Sequence, residues 1–285
     1  MKVEVLSKIS EVRSTVKTQK TKGKKIGFVP TMGFLHEGHL SLVKESLRQT
    51  DFTVVSIFVN PTQFGPEEDF QEYPRDLDKD TAVLERLGVD VVFIPDAREM
   101  YPPGFKTYVE VKDIQDKFEG RSRPGHFRGV CTVVLKLFAI VQPDAAYFGQ
   151  KDAQQAVIVK KMVRDLNLDV DACVLPTVRD EDGLALSSRN IYLNEGGRKA
   201  ALCLFHSLKK AQNMIKSGEG DSAAVKREMK RIINKETLAN LDYIGIVDLD
   251  DFETLDKINK DALVSVAVFI GKVRLIDNII VKSKE

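Results

Sequence analysis

The sequence has little cysteine. Only Cys131, Cys173 and Cys203 occur, widely spaced, odd in number and without a CxxC pair. That argues against a disulfide framework and against a zinc–thiolate site. Each sits in an apolar setting, where a free thiol serves as core filling. A surplus of charge is also missing: 43 Lys and Arg are matched by 42 Asp and Glu, for a net charge of +1. No overall field draws the chain to a nucleic acid or an anionic membrane. The Lys-rich stretch 17–25 is short and reads as solvated surface. No apolar run approaches the roughly 20 residues that span a bilayer. The opening MKVEVLSKIS has no apolar core of signal-peptide length. The expected location is the cytoplasm, with no membrane and no nucleic acid as partner.

What is present is alternation. At 285 residues the chain can form one large domain or two modest ones. Buried-strand patterns at 25–30 (KIGFVP), 53–59 (TVVSIFV), 89–94 (VDVVFI), 145–148 and 170–175 are separated by helical patterns. Those helices are predicted after the first strand, with Leu40, Leu42, Val43 and Leu47 on one face, and at 76–87, 132–141 and 153–167. Continuous β-branched runs between helices predict a parallel sheet covered on both faces. Ligands of such sheets bind at the carboxyl ends of the strands, near a switch point. After Arg179 the pattern changes. Two long amphipathic helices, 195–217 and 222–236, precede three strand-like runs at 243–248, 262–269 and 273–281. These predict a small α+β domain, with the loop 179–183 (RDEDG) as a hinge.

Five segments carry candidate chemistry. The first, PTMGFLHEGH at 30–39, sits where a strand ends and a helix begins. A helix N-terminus there offers N–H groups and partial positive charge to a phosphate. His36 and His39 share a face if the turn is helical, and can offset charge that builds up in a transition state. His-Glu-Gly-His is not the H-E-x-x-H of a zinc helix. The second, FVNPTQF at 58–64, places Asn60 and Gln63 at a strand's carboxyl end, where neutral amides can orient a small hydroxylated acid. Asn-Pro is equally a turn signal. The carboxylates Asp76, Asp78 and Asp80 that follow read as a helix N-terminal cluster with no further role. The third, RSRPGHFRGV at 121–130, offers Arg123 among groups suited to carboxylate or phosphate. The fourth, FGQKDAQQ at 148–155, places Lys151 to meet phosphates, Asp152 as an N-cap and Gln155 one turn in. The fifth, ALSSRN at 185–190, sets hydroxyls and a guanidinium on a loop able to close over phosphates.

The His36-Glu37-Gly38-His39 turn resembles the HxGH signature of the nucleotidyltransferase superfamily, which also holds class I aminoacyl-tRNA synthetases. The ordered set PTMGxLHxGH, FVNPxQF, YPRxxxxD, RPGHFxGV, FGxKDxQQ and LSSRN resembles the pantothenate synthetase family from about residue 24 to 192. The last third fits that family in size and pattern but carries no usable motif. Leu186 stands where many members have Met, a volume-conserving change.

The resemblance implies an α/β fold. Residues 1–178 would form a Rossmann-like catalytic domain binding ATP and pantoate, and residues 179–285 an α+β lid. It implies ATP-driven condensation of pantoate with β-alanine through a pantoyl adenylate, releasing pyrophosphate and AMP. His39, His36, Lys151 and Arg189 would be catalytic. ATP would be held by Met32, Gly33, Phe34, Leu35, His36, Glu37, Gly38 and His39, by Gly149, Gln150, Lys151 and Asp152, and by Val178, Leu186, Ser187, Ser188 and Arg189. Gln63 and Gln155, with Asn60 and Arg123, would hold pantoate or β-alanine. Mg²⁺ would be bound through the phosphates, with no metal held by the protein itself. A homodimer is expected. Read without the resemblance, the residues leave two other readings: nucleotidyl transfer to a phosphorylated metabolite, and a non-enzymatic binding module.

Overall fold

In a computed structural model of the chain, which describes residues 2–66, 68 and 70–282, the apolar runs become strands buried on both faces. The order of elements opens with β1 (Glu4–Leu6), α1 (Ile9–Thr21), β2 (Ile26–Thr31), α2 (Glu37–Gln49) and β3 (Phe52–Ile57). Next come α3 (Leu77–Leu87), β4 (Val91–Phe93), the short helices α4 (Ala97–Met100) and α5 (Glu119–Ser122), and α6 (His126–Val141). β5 (Ala145–Gly149), α7 (Ala153–Asp165) and β6 (Asp171–Leu175) complete the α/β part. Among the described residues the strands form a six-stranded sheet in the order β1-β4-β3-β2-β5-β6, every pair parallel. Ile26 lies opposite Phe52 and Thr31 opposite Ile57, so β2 and β3 end together.

Burial explains the run-like sequences. All six residues of β3 are buried, and β2 is buried except at Pro30. One core joins Val29, Val55 and Val92 from the sheet with Val43 and Leu84 from the helices. Each such side chain contributes about 1.5–3 kcal/mol when fully buried.

Strand order fixes where a ligand can bind. β2 connects to β3 on one side of the sheet, while β5 on its other side connects onward to β6. The carboxyl ends of β2 and β5 are therefore a switch point, where the loops diverge and leave a crevice.

The chain divides into two compact units. The first holds residues up to Gly149 together with Ile158–Leu175; the second holds Gln150–Val157 together with the residues from Pro176 onward. In the second unit α8 (Glu195–Lys216) and α9 (Ser222–Ile233) pack with an antiparallel sheet of β7 (Ala239–Asp248), β8 (Ala262–Ile270) and β9 (Val273–Val281), β8 at its centre. Buried Ala201, Leu204, Leu208, Ala211 and Ile215 recur at three- and four-residue spacing on α8, which gives one apolar stripe. Asn194 caps α8 by accepting from Gly197 N at 2.7 Å.

The elements differ from expectation at four places. β1 and α1 carry too few apolar residues to stand out, and α1 buries only Val12 and Val16. α6 begins at His126 rather than 132, because its polar first turn reads as loop. β7 begins at Ala239, and its register shifts between Leu241 and Tyr243, which hides the first residues from a search for alternation. The loop 179–183, expected as a hinge, is a tight hairpin within the second unit. Asp180 N donates to Leu184 O, and Arg198 from α8 pairs with both Asp180 and Asp182.

Candidate active site

The candidate residues form two groups, one in each compact unit. In the first unit the turn after β2 is built around a buried carboxylate. Asp80, 2% exposed, accepts from Phe34 N at 2.6 Å and Leu35 N at 2.8 Å. These bonds hold Phe34 at φ 52, a left-handed conformation that is costly for an aromatic residue. Gly33 before it has φ 84, and a Cβ there would stand 2.9 Å from Ile57 Cγ2 and 3.1 Å from Asp80 Oδ2. Burial pushes the Asp80 carboxyl upward, and the two backbone hydrogen bonds work against that shift. Asp76 behaves as expected and caps α3 through Lys79 N. Asp80 does not: its role is to hold the turn, not to decorate a helix end.

The turn delivers His36 to the N-cap of α2 and His39 to its first turn. Gly38 N donates to His36 Nδ1 at 3.1 Å, and His36 N donates to His39 Nδ1 at 3.4 Å. Both Nδ1 atoms therefore act as acceptors. In the neutral rings this places the protons on Nε2, so each imidazole presents a donor away from its own backbone. The ring centroids are 4.1 Å apart. Two half-buried donors now stand beside a helix N-terminus, an arrangement suited to phosphate oxygens.

A second cluster follows β3. Asn60 is 1% exposed and Gln63 8%. Asn60 Nδ2 donates to Gln63 Oε1 at 3.0 Å and to Gly129 O at 3.1 Å. Asn60 Oδ1 accepts from Tyr101 Oη at 2.8 Å and Thr62 Oγ1 at 3.0 Å. Both amide hydrogens of Asn60 are thus spent within the protein, and its effect is to orient Gln63. Gln63 Nε2 points to Met32 Sδ at 3.1 Å, which brings it to the turn after β2. Gly129 permits this approach, since a Cβ there would lie 2.2 Å from Thr62 O.

Arg123 is engaged by the protein as well. Its guanidinium forks onto Glu68, with Nε donating to Oε1 at 2.9 Å. Its Nη1 lies 3.1 Å from His126 Nε2, while His126 Nδ1 lies 2.8 Å from Gln63 O. Arginine can only donate and a carbonyl can only accept. His126 is therefore the Nδ1–H tautomer, fixing the Gln63 backbone from one side and Arg123 from the other. Burial, reinforced by the Arg123 charge, pushes the His126 imidazole down to about 4.

In the second unit, residues Gln150–Asp152 form a single 3-10 turn leading into α7. Lys151 Nζ pairs with Asp152 Oδ1 at 3.2 Å. Gln155 lies half-buried on the first turn of α7. Leu186 N donates to Val178 O at 3.0 Å, so these two candidates meet across the hairpin. Ser187 caps the 3-10 turn Ser188–Tyr192 by accepting from Arg189 N at 3.2 Å. Asn190 Nδ2 donates to Ala185 O at 3.1 Å. Among the described residues no cluster of three His, Cys, Asp or Glu side chains is placed to hold a metal, and no helix is long and apolar enough to cross a membrane.

Comparison with known proteins decides the family. Residues 4–280 match the profile of the Pantoate-beta-alanine ligase family. The chain belongs to this family. It is 55% identical over 280 residues to the pantothenate synthetase of Caldicellulosiruptor bescii, covering 98% of this chain and 99% of that protein. Identity to the pantothenate synthetase of Acetivibrio thermocellus is 54% over 280 residues, with 98% and 100% covered. The crystal structure of pantothenate synthetase from Thermus thermophilus superposes with a TM-score of 0.92 at 44% identity, covering 97% and 99%. A pantoate-beta-alanine ligase from Francisella tularensis, solved with beta-gamma ATP and beta-alanine, gives 0.79 at 38% identity, with 97% of each chain covered. The α/β ligase fold, a parallel sheet followed by a smaller α+β part, is thus shared along the whole chain.

No bracing role is legible in the sequence for three residues that hold these candidates. Asp80, Tyr101 and His126 act across 46, 41 and 63 residues of chain, beyond the reach of any local pattern.

Two outcomes follow from this geometry. Asp80→Asn would set an amide donor against one of the two backbone donors, Phe34 N or Leu35 N. It should lower the urea-unfolding free energy by about 1–3 kcal/mol, the scale of a buried unsatisfied group; an unchanged midpoint would contradict the anchoring role. For His126, the ordinary value is 6.5 and the folded value about 4. The unfolded chain binds the extra proton between these values, so the stabilisation is complete above pH 6.5 and disappears as pH falls to 4. The wild type should lose on the order of 3 kcal/mol over that window relative to His126→Asn, measured by urea titration at stepped pH.

Proposed function

We propose that this enzyme condenses pantoate with β-alanine, driven by conversion of ATP to AMP and pyrophosphate, and that the two residue groups divide the work. The observation that carries the reading is the match to the ligase family over residues 4–280. The resemblance of each motif to the family pattern supports its assignment.

A carboxylate is a poor acyl donor because its oxygen is a poor leaving group. Adenylation cures this. A pantoate carboxylate oxygen attacks the α-phosphorus of ATP, the bond to the pyrophosphate oxygen breaks, and pantoyl adenylate forms. The β-alanine amine then attacks the acyl carbon, loses a proton, and expels AMP. The first step brings an anion to a polyanion, so donors and cations must offset the repulsion. His36 and His39 serve this purpose through their Nε2–H groups, together with Lys151, Ser187, Ser188 and Arg189. The nucleotide lies along Met32, Gly33, Phe34, Leu35, Glu37 and Gly38, with Gly149, Gln150, Asp152, Val178 and Leu186 also contributing. Mg²⁺ carried on the phosphates would supply further charge compensation.

Gln63 and Gln155 are assigned to pantoate. A neutral amide can hold the hydroxyls and carboxylate of the acid without neutralising the nucleophile. Asn60 and Arg123 support Gln63 through the contacts described above. The adenylate would hydrolyse in water, which gives the second unit, rather than residues 179–285 alone, the role of a lid. A homodimer in the cytoplasm belongs to the same reading.

Steady-state AMP should accumulate only when ATP, pantoate and β-alanine are all present; sustained turnover with any one omitted overturns the assignment. His39→Ala should cut pantoate-dependent pyrophosphate release at least ~10²-fold, the scale of losing a transition-state donor. Release near the wild-type rate would remove His39 from the chemistry.

A further inference from the structure

The last third of the chain holds none of the motif segments described above, yet one of its strands holds two of the nucleotide segments in place. Asp277 and Asn278 are consecutive in β9, and each is 3% exposed. Successive side chains of a strand point to opposite faces, and these two reach different partners.

Asp277 accepts a bidentate pair from Arg179, with Nη1 to Oδ2 at 2.6 Å and Nη2 to Oδ1 at 2.8 Å. Arg179 Nη1 also donates to Gly183 O at 3.0 Å, and the guanidinium carbon lies 5.1 Å from the Phe205 ring centroid. This closes the base of the hairpin whose outgoing arm leads to Leu186–Asn190. Asn278 Nδ2 donates to Gln150 O and to Lys151 O, both at 2.9 Å, while its Oδ1 accepts from Gln150 Nε2 at 3.2 Å. Two carbonyl partners require the nitrogen on that side, so the amide orientation is fixed by chemistry.

One side-chain amide thus captures two consecutive carbonyls. A trans peptide is planar, with its C=O and N–H pointing in opposite directions. Holding the carbonyls of Gln150 and Lys151 turns the N–H groups of Lys151 and Asp152 the other way. The same two bonds set the Cα–Cβ direction from which the Lys151 ammonium is presented.

We propose that Asn278 is a positioning residue for the nucleotide, acting through the backbone of Gln150–Lys151, with Asp277 bracing the hairpin segment from the adjacent position. The proposal rests on the reading of Lys151 as a phosphate-binding cation. It assigns a function to β9.

The test is a double-mutant cycle read by ATP kinetics in pantoate-dependent pyrophosphate release. Asn278→Ala should lower kcat/KM for ATP about tenfold, with the KM for β-alanine within twofold of the wild type. In the Lys151→Ala background the same substitution should cost less than about threefold, because its route of action is already gone. Arg274→Ala is the control, since it breaks a pair with Asp242 from the same strand. It should move the melting temperature and leave the ATP constants unchanged. Asn278→Asp keeps the shape but loses the donors, and carries the test if the alanine variant does not fold. A lowered melting temperature with ATP constants within twofold of the wild type overturns the proposal, as do losses that multiply in the Lys151→Ala background. If Lys151→Ala alone leaves kcat/KM for ATP intact, the reading of Lys151 fails first, and the proposal falls with it.

Discussion

A single carboxylate, buried in α3, decides the shape of the turn that matters most. Asp80 accepts two successive backbone N–H groups, and the turn between β2 and α2 is tied down through them. A left-handed Phe34 would not persist in a free loop, because its side chain opposes that conformation. The carboxylate over-determines it. Once the turn is set, His36 must fall at the N-cap and His39 one turn further, and their Nδ1 atoms are consumed by capping. The direction of the histidine donors is thus a consequence of a bond made 46 residues away in sequence.

The same logic recurs in the other polar parts. Gln63 is held by Asn60, Asn60 by Tyr101, and the Gln63 backbone by His126. Lys151 and its neighbour are held by Asn278, and the hairpin by Arg179 on Asp277. The candidate groups of this enzyme are each fixed by a second polar group. Burial makes such arrangements effective, since an unpaired donor or acceptor in those positions costs about 1–3 kcal/mol. Slack in the site is therefore penalised by the same term that stabilises the fold.

This division explains what could be read from the sequence. The parallel sheet was legible because a strand buried on both faces, such as β3, leaves an unbroken apolar run. The motif segments were legible because they follow strand ends, where glycine, histidine and amides stand out against the core. β1 was too short to register, and β7 was shortened by its register shift. The supports were not legible for a different reason. Asp80 looked like one more acidic residue at a helix start, and His126 like one more polar group in the run ahead of a helix. Asn278 looked like a polar residue in a strand. Their partners are distant in sequence, and no local pattern records a bond across 128 residues.

The path of the chain has a further consequence. It passes from the first unit to the second after Gly149, returns after Val157 within α7, and leaves again after Leu175. The second unit is therefore not a cassette. A fragment starting at Pro176 would carry Asn278 without the carbonyls its amide serves, and a fragment ending at Leu175 would carry residues 150–157 without that amide. Recombination between relatives at the obvious boundary would inherit one half of the contact from each parent. An exchange that carries residues 150–157 and β9 together keeps both sides of this contact from one parent.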